Sequence, residues 1–420
     1  MFLEIPPALK HRRFTLLWAG LLISIAGSQM QLWALLWHIR DLTDSPIAVS
    51  GIGFARFLPI LIFSLVAGLV ADLYNRRTVM FMTQTAMTLT ALALAYLTWS
   101  GQIQLWHIYL LTALQTAAAA FDGPARQALV PNLVPKEDLP SAFSMMSIAQ
   151  NVGAIIGPAL SGIVISSLGQ YDAYLFNAVS FLAVLVALVA MGPVKQEAYP
   201  AQLSPDRQGL GMALGSIREG IRFIFSRPII LSSMLLDFFA TFFSSANTLL
   251  PFVARDVLKV GVIQYGWLSA AQSIGAVSAG VVISQRKDIR RQGTLLLVAV
   301  VIFGLATTLF GVSAAFGLTM LALILVGASD SVSTILRNTI RQLQTPDYIR
   351  GRMTSVNQIF FIGGPQLGEI EAGAVAQAFG IPAAIISGGI GCLVAAGWIA
   401  WRWPQLRRYN GDEPLVALAD

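Results

Sequence analysis

Long apolar runs separated by short polar joints fill most of the chain. Each run continues for about 20 residues, enough to cross a hydrocarbon core of roughly 30 Å as a helix. Runs and breakers together predict about twelve helices, over 14–38, 47–71, 78–99, 105–127, 139–167, 173–192, 229–253, 262–285, 293–312, 316–338, 353–378 and 381–403. An even number returns the chain to the face it started from, so both termini are expected on one side of a membrane. The expected fold class is an all-α membrane protein of twelve transmembrane helices, with the lipid bilayer as its solvent.

Composition agrees with that pattern. Of the 420 residues 56% are hydrophobic and only 11% are charged, with a mean hydropathy of +0.70, whereas a soluble domain carries about 25% charged residues. The 27 Lys and Arg residues set the orientation. Arg40, Arg255 and Lys259 fall on the far side, Arg56 lies inside a span, and the rest sit with the termini, a bias that makes the terminal face cytoplasmic. The pI near 9.6 is thereby a topology signal, and no nucleic-acid partner is expected. One cysteine, Cys392, inside an apolar run excludes a disulfide framework and a cysteine-based metal site. His11, His38 and His107 stand near span ends without ligand spacing, so neither metal nor cofactor is expected. The first ten residues, interrupted by Pro6 and Pro7, do not read as a signal peptide, and the first span serves as insertion signal.

An internal repeat emerges when the chain is shifted on itself by about 211 residues. Arg126 then meets Arg337 and Pro135 meets Pro346, while Gly157-Pro158 meets Gly364-Pro365 at a slightly shorter shift. The polar stripe Ser24, Ser28, Gln31 of the first span falls on Asp237, Thr241, Ser244 of the seventh. The expected organisation is a six-helix bundle over 1–192, a cytoplasmic linker over 193–228 and a second, pseudo-symmetric six-helix bundle with a short tail over 229–420. Within the linker, Ile217–Ile224 has the spacing of a short amphipathic helix at the cytoplasmic interface; a plain connector is the alternative.

Two six-span halves around a midplane site describe a class of secondary transporter. The joint Gly68-Leu69-Val70-Ala71-Asp72-Leu73-Tyr74-Asn75-Arg76-Arg77 carries a Gly, an Asp four residues on and a basic pair. With it the chain resembles the major facilitator superfamily over nearly its whole length. Ser24-Ile25-Ala26-Gly27-Ser28, Leu42-Thr43-Asp44-Ser45-Pro46, Pro124-Ala125-Arg126-Gln127-Ala128 with Pro131, and the Arg-Glu-Gly-Ile-Arg-Phe linker narrow the resemblance to bacterial exporters that include enterobactin and macrolide efflux proteins. The resemblance implies that Gly68, Asp72, Arg76 and Arg77 form a conformational switch, Asp72 holding spans together on the cytoplasmic side in one state by charge-assisted hydrogen bonds. Arg126 and its repeat partner Arg337 would belong to the same intracellular gate. Asp122 and Arg126, four residues apart, can also simply pair along their helix.

In span 5, Gly153, Gly157 and Ser161 recur every four residues. Such a stripe lets helix backbones approach closely, and Pro158 adds a bend. With Gly162 it is similar to a motif enriched in the superfamily's antiporters, although Ser161 replaces one Gly of the final pair; helix packing is the alternative. Span 11 repeats the stripe with Gly364, Gly368, Ala372 and Ala376 and adds Glu369 and Glu371. A carboxylate at membrane depth is protonated, paired or functional. Glu369, Glu371, Asp237 and Asp330 are therefore candidate proton carriers, and Arg56 is their candidate partner, an Arg56–Glu369 or Arg56–Glu371 pair being the specific expectation. The resemblance also implies that spans 1, 4, 7 and 10 line the cavity. Ser24, Ser28, Gln31, Trp33, Gln115, Asp122, Thr241, Phe242, Ser244, Thr248 and Thr334 are its candidate lining, Asp237, Thr241, Ser244 and Thr248 lying within about 60° on one helix face.

The function expected is export of a small amphipathic organic compound, drug-like or siderophore-like, by proton-coupled antiport, with the protein monomeric in a bacterial cytoplasmic membrane. Uptake by symport is the alternative within the fold. An enzyme needs a reactive constellation, and neither that nor a phosphate-binding loop is present; a sensor would be expected to carry a soluble output domain. One asymmetry yields a prediction. Ser284 stands where the repeat predicts the counterpart of Asp72, so Asp72→Asn should slow transport by about tenfold, the worth of one charge-assisted hydrogen bond. Ser284→Ala should leave the initial rate within about twofold, measured in membrane vesicles at matched protein levels.

Overall fold

The computed structural model describes residues 6–194, 219–286 and 289–411. Within those, the side chains of some helix residues, Asp72 among them, lie outside the description. Twelve long helices of 17 to 33 residues run through the described chain, which holds no strand. They are α1 (Arg12–Leu42), α2 (Pro46–Leu73), α3 (Arg76–Trp99), α4 (Leu105–Leu129), α5 (Leu139–Ser167), α6 (Gln170–Ala190), α7 (Pro228–Ser244), α8 (Val262–Ser284), α9 (Gln292–Val312), α10 (Phe316–Leu343), α11 (Asp347–Phe379) and α12 (Ile381–Arg402). Ten segments among the described residues are long and apolar enough to cross a membrane. Their outer faces keep large apolar side chains exposed, such as Phe54, Trp99, Val186 and Trp401. A soluble surface would bury these; lipid does not require it.

Local chemistry sets several boundaries. The side chain of Asn75 accepts the backbone N–H of Thr78 at 3.2 Å and starts α3 two residues after α2 stops. Gly169 and Gly380 turn the chain from α5 into α6 and from α11 into α12 at φ of 108° and 89°, a region that only glycine enters without strain. In the linker, residues 219–226 are helical; Ile217 and Arg218, the start of the expected amphipathic helix, lie outside the described residues, as do Lys287 and Asp288.

The seventh span departs from expectation. A continuous helix over 229–253 is predicted, but α7 stops at Ser244, and Ser245 turns out of helix at φ −80°, ψ 84°. The chain resumes as a single turn over Asn247–Leu249, a short helical turn at Leu250–Phe252 and a π turn at Val253–Val257. Pro251 contributes to the break. It has no N–H to give to the carbonyl of residue 247 and its ring crowds that carbonyl, which weakens a regular helix through this stretch, although Pro158 is accommodated within α5.

The described residues group into two compact units. The first holds the described residues of 1–44, 54–194 and 260–270, the second those of 45–53, 219–259 and 271–411. Within the first unit α1 packs on α5 and α6, and α3 packs on α4 and α6. Within the second, α7 packs on α11 and α12, and α9 packs on α10 and α12. The apolar core of the first unit centres on Phe14, Leu17, Leu21, Met80, Leu129 and Leu188, that of the second on Leu236, Leu296, Val300, Ile340 and Ile399.

Glycine sets how closely these helices cross. A Cβ at Gly157 would stand 2.6 Å from the carbonyl oxygen of Ala26, fixing the α1–α5 approach, and one at Gly162 would stand 2.7 Å from that of Val262. In the second unit, Gly275 faces the carbonyl of Ile324 and Gly327 that of Gln272, each too near for any side chain. Gly397 faces open space instead. Gly327→Ala should therefore cost about 1–3 kcal/mol through overpacking, while Gly397→Ala should be neutral or gain up to about 1 kcal/mol of helix propensity. Melting temperatures of the detergent-solubilised protein will separate the two.

Candidate functional site

Two polar pockets open among the helices, one in each unit. The pocket of the second unit, about 270 Å³, is lined by Thr241, Ser244 and Ser245 at the end of α7, by Asn247 in the turn beyond it, by Gln272 and Ser273 of α8, and by Asp330 of α10. It exists where it does because α7 breaks. The last helical turn and the two residues after it present three hydroxyls to one space, and the Gln272 amide donates to Asn247 Oδ1 at 2.9 Å across it. Asp330 is its one charged lining residue.

Behind Asp330 lies a buried charge cluster. Arg337, one turn or two further along α10, is 1% exposed, and its Nη2 sits 2.9 Å from Oδ1 of Asp237, itself 1% exposed, and 3.8 Å from Oδ1 of Asp330. Arg337 also donates to Ser333 Oγ and Thr334 Oγ1, both at 2.8 Å. Arg341, a turn further on and equally buried, reaches Asp237 Oδ2 at 4.0 Å and donates to Asn338 Oδ1 at 2.6 Å and to Asn357 Oδ1. Neither oxygen of Asp237 has an aligned hydrogen-bond donor among the described residues, so Coulomb attraction in a low-dielectric interior is what holds it. Two guanidiniums against one fully buried carboxylate leave an excess positive charge that the half-exposed Asp330 balances at the pocket wall.

The pocket of the first unit, about 290 Å³, is lined by Ser28, Gln29, Gln31, Leu32 and Leu35 of α1, Arg56 and Ile60 of α2, Met87 of α3, and Thr112, Gln115, Thr116 and Ala119 of α4. Gln31 donates to Gln115 Oε1 and accepts from Asn177 Nδ2 of α6, both at 2.6 Å, tying three helices around one amide. Arg56 is its one charged lining residue and makes no hydrogen bond or ion pair among the described residues. The carboxylate partner that the sequence suggested for it, Glu369 or Glu371, belongs to the second unit. There Glu369 is buried against Gly53, where a Cβ would stand 3.0 Å from its Oε2, and Glu371 is half-buried.

The remaining predicted residues separate into those the pockets use and those the packing uses. Ser28, Gln31, Gln115, Thr241 and Ser244 line pockets. Ser24 is buried, Trp33 is buried with its ring edge-on to Tyr265, whose hydroxyl donates to the Trp33 carbonyl at 2.9 Å, and Phe242 stacks on Phe238. Thr334 serves Arg337. Thr248 lies past the break in α7, fully buried and hydrogen-bonded to Ser50 at 3.0 Å, so the expected four-residue face Asp237, Thr241, Ser244, Thr248 does not form. Asp122 does not pair with Arg126. Its carboxylate turns to α3, where Thr83 Oγ1 and Gln84 Nε2 donate at 3.0 and 2.9 Å, buried contacts that outweigh a surface pair one turn apart. Arg126 is half-buried.

At the α2–α3 joint, Arg76 donates to Asn132 Oδ1 at 2.9 Å and Arg77 to the Leu188 carbonyl at 2.7 Å, the latter closing the end of α6. Asp72 is the penultimate residue of α2, and a Cβ at Gly68 would meet nothing within 4 Å. Of the span-5 motif, Gly153 and Gly157 seat α1, Gly162 seats Gly266, and Pro158 lies buried within α5. Arg341, Gln272 and Asn247 were not anticipated. Placing the end of span 10 at residue 338 left Arg341 among the loop charges, although its four-residue spacing from Arg337 puts both on one helix face.

Comparison with known proteins follows the same lines. Among solved structures, the bacterial homologue of the human lysosomal transporter Spinster, in an inward-facing, unoccupied conformation, matches with a TM-score of 0.73 at 14% identity, over 95% of this chain and 99% of that one. A peptide transporter of the POT type matches at 0.72 and 14%, over 97% and 96%. These likenesses show the fold. The multidrug efflux pump Tap of Mycolicibacterium fortuitum is 27% identical over 92% of this chain and 94% of its own length, and the enterobactin exporter EntS of Escherichia coli is 26% identical over 98% and 96%. These relatives and neighbours are transporters, not enzymes. With the family model for transmembrane secretion effectors matching residues 6–413, the chain belongs to that family, a multi-pass membrane protein of the major facilitator superfamily.

Proposed function

We propose that this protein exports a small amphipathic organic compound in exchange for protons. On this reading twelve transmembrane helices form two pseudo-symmetric six-helix bundles, 1–192 and 229–420, joined by the linker 193–228. They rock about a midplane site in a bacterial inner membrane, with both termini cytoplasmic and the protein acting as a monomer. The duplication is supported by the recurrence of four helix pairings six helices later: α1 with α5 and α6, α3 with α4 and α6, then α7 with α11 and α12, α9 with α10 and α12. Export rather than uptake is supported by the motif Gly153, Gly157, Pro158, Gly162 and by relatives named as an efflux pump and an exporter.

The observation that carries proton coupling is the position of Asp330. It is the pocket's one charged lining residue and stands within Coulomb range of Arg337. A proton arriving from the pocket would cancel its charge and free Arg337 to bear wholly on Asp237; cargo leaving the pocket would reverse the exchange. Asp237, clasped by two guanidiniums, is the fixed counter-ion of this arrangement, and Glu369 and Glu371 are the further carboxylates that a proton path would use. Gly68, Asp72, Arg76, Arg77 and Arg126 are assigned to the cytoplasmic gate of the first bundle. Arg337, the repeat partner of Arg126, links gate and coupling in the second.

In everted vesicles challenged with a panel of drug-like and siderophore-like amphipathic compounds, anionic ones among them, accumulation should require an imposed pH gradient and vanish when a protonophore collapses it. Accumulation that needs no gradient would sink the antiport assignment, and uptake by intact cells would reverse the direction. Two variants divide the cluster. Asp330→Asn should leave thermal stability within about 1 kcal/mol while removing the dependence of transport on the gradient. Asp237→Asn should cost about 3–5 kcal/mol by stranding two buried guanidiniums, read as a lowered melting temperature in detergent.

A further inference from the structure

Arg56 is anomalous in this fold. An arginine inside a transmembrane segment is costly and pairs with a carboxylate or with backbone carbonyls. Two fully buried guanidiniums obey the rule: Arg337 and Arg341 are held by Asp237 and by hydroxyl and amide oxygens. Arg56 makes no hydrogen bond or ion pair among the described residues, and no carboxylate lines its pocket.

The amides around it are polarised in one direction. Ser180 Oγ donates to Asn177 Oδ1 at 3.0 Å, Asn177 Nδ2 donates to Gln31 Oε1 at 2.6 Å, and Gln31 Nε2 donates to Gln115 Oε1 at 2.6 Å. Each amide oxygen accepts from the group before it, and at the pocket end the NH2 of Gln115 is a donor without an acceptor among the described residues. Thr112, 5% exposed and also lining the pocket, has a hydroxyl with no hydrogen-bond partner. A guanidinium, an amide NH2 and an unpartnered hydroxyl thus share about 290 Å³ with Leu32, Leu35, Ile60 and Met87. Thr112 is buried, and Arg56 and Gln115 are half-buried at the pocket wall; a guanidinium and an amide donor facing one partly apolar space favour an acceptor carrying negative charge.

We infer that the pocket of the first unit is an anion subsite, in which Arg56 and the Gln115 amide clamp the carboxylate or phenolate of an organic ligand whose apolar body lies against Leu32, Leu35, Ile60 and Met87. The inference deepens the transporter reading by giving the cargo an anionic group. It takes from that reading only that the pocket belongs to the cargo path, and nothing about direction or coupling.

The test is equilibrium binding to the full-length protein in nanodiscs, with no gradient present, using salicylate and its neutral counterpart salicylamide. A single good charge-assisted clamp is worth about tenfold in affinity. Wild-type protein should therefore bind salicylate about tenfold more tightly than salicylamide. Arg56→Gln should bring that ratio to about one while keeping salicylamide affinity within about twofold; Arg56→Lys should give an intermediate ratio, because a point charge replaces a planar fork. Gln115→Leu, which leaves Arg56 in place, should lower the ratio by about threefold and decides the matter if Arg56→Gln fails to fold. A wild-type ratio near one, absence of saturable salicylate binding, or an unchanged ratio in the variants that fold overturns the inference. Salicylate binding as expected in a protein that shows no export would instead count against the exporter reading alone.

Discussion

Desolvation of polar groups is the constraint from which the rest of this structure follows. Helices that bury their backbone hydrogen bonds still have to place Gln, Asn, Asp and Arg side chains where water cannot reach, and each must find its partner within the protein. Asp122 turns away from the arginine on its own helix toward two donors on α3. Gln31 binds α4 and α6 to α1, and Asp237 is shared by two arginines. Arg56 and Asp330, by contrast, each stand at the wall of a pocket.

Most of the fold was legible in the chain because hydropathy and helix length are read directly by the bilayer. The limits of eleven of the twelve helices follow the apolar runs to within six residues, and the interruption of α7 is the main departure. Hydropathy cannot register it, since Pro251 sits inside an apolar stretch and its effect is on backbone geometry alone. The glycines were legible as a stripe but not their partners: Gly157 seats Ala26, and Gly368 seats Phe242, pairings that depend on which helices meet. The site was legible in kind and only partly in position. Thr241, Ser244 and Gln31 were identified from the polar faces of single helices, and Gln115 from the spans that the resemblance places at the cavity. Arg341 and Gln272 were hidden because their role arises between helices, and Thr248 was misplaced because the helix carrying it was taken to be continuous.

Glycine and charge act on different scales here. The glycines bring backbones to within contact and decide where helices cross, which is a matter of ångströms and of overlap energies. The buried cluster on α10 decides little about crossing geometry, but it fixes which residue faces the pocket with a net charge. Asp330 is exposed to the pocket because Asp237 and Arg337 occupy the space behind it.

The broken end of α7 has a further consequence. Ending a helix frees its last four carbonyls; here two are hydrogen-bonded and two lie against glycines. Thr241 O accepts the Ser245 hydroxyl at 2.6 Å and Ser244 O the Ala246 N–H at 3.0 Å, while Phe242 O and Phe243 O lie against the Cα atoms of Gly368 and Gly388, where no side chain would fit. The pocket beside this broken end is lined by residues of α7, α8 and α10 and of the turn between α7 and α8. Its polarity is borne by interchangeable side chains at Thr241, Ser244, Ser245, Gln272 and Ser273, so drift at these positions can retune what the pocket accepts one substitution at a time, with the helix architecture left intact.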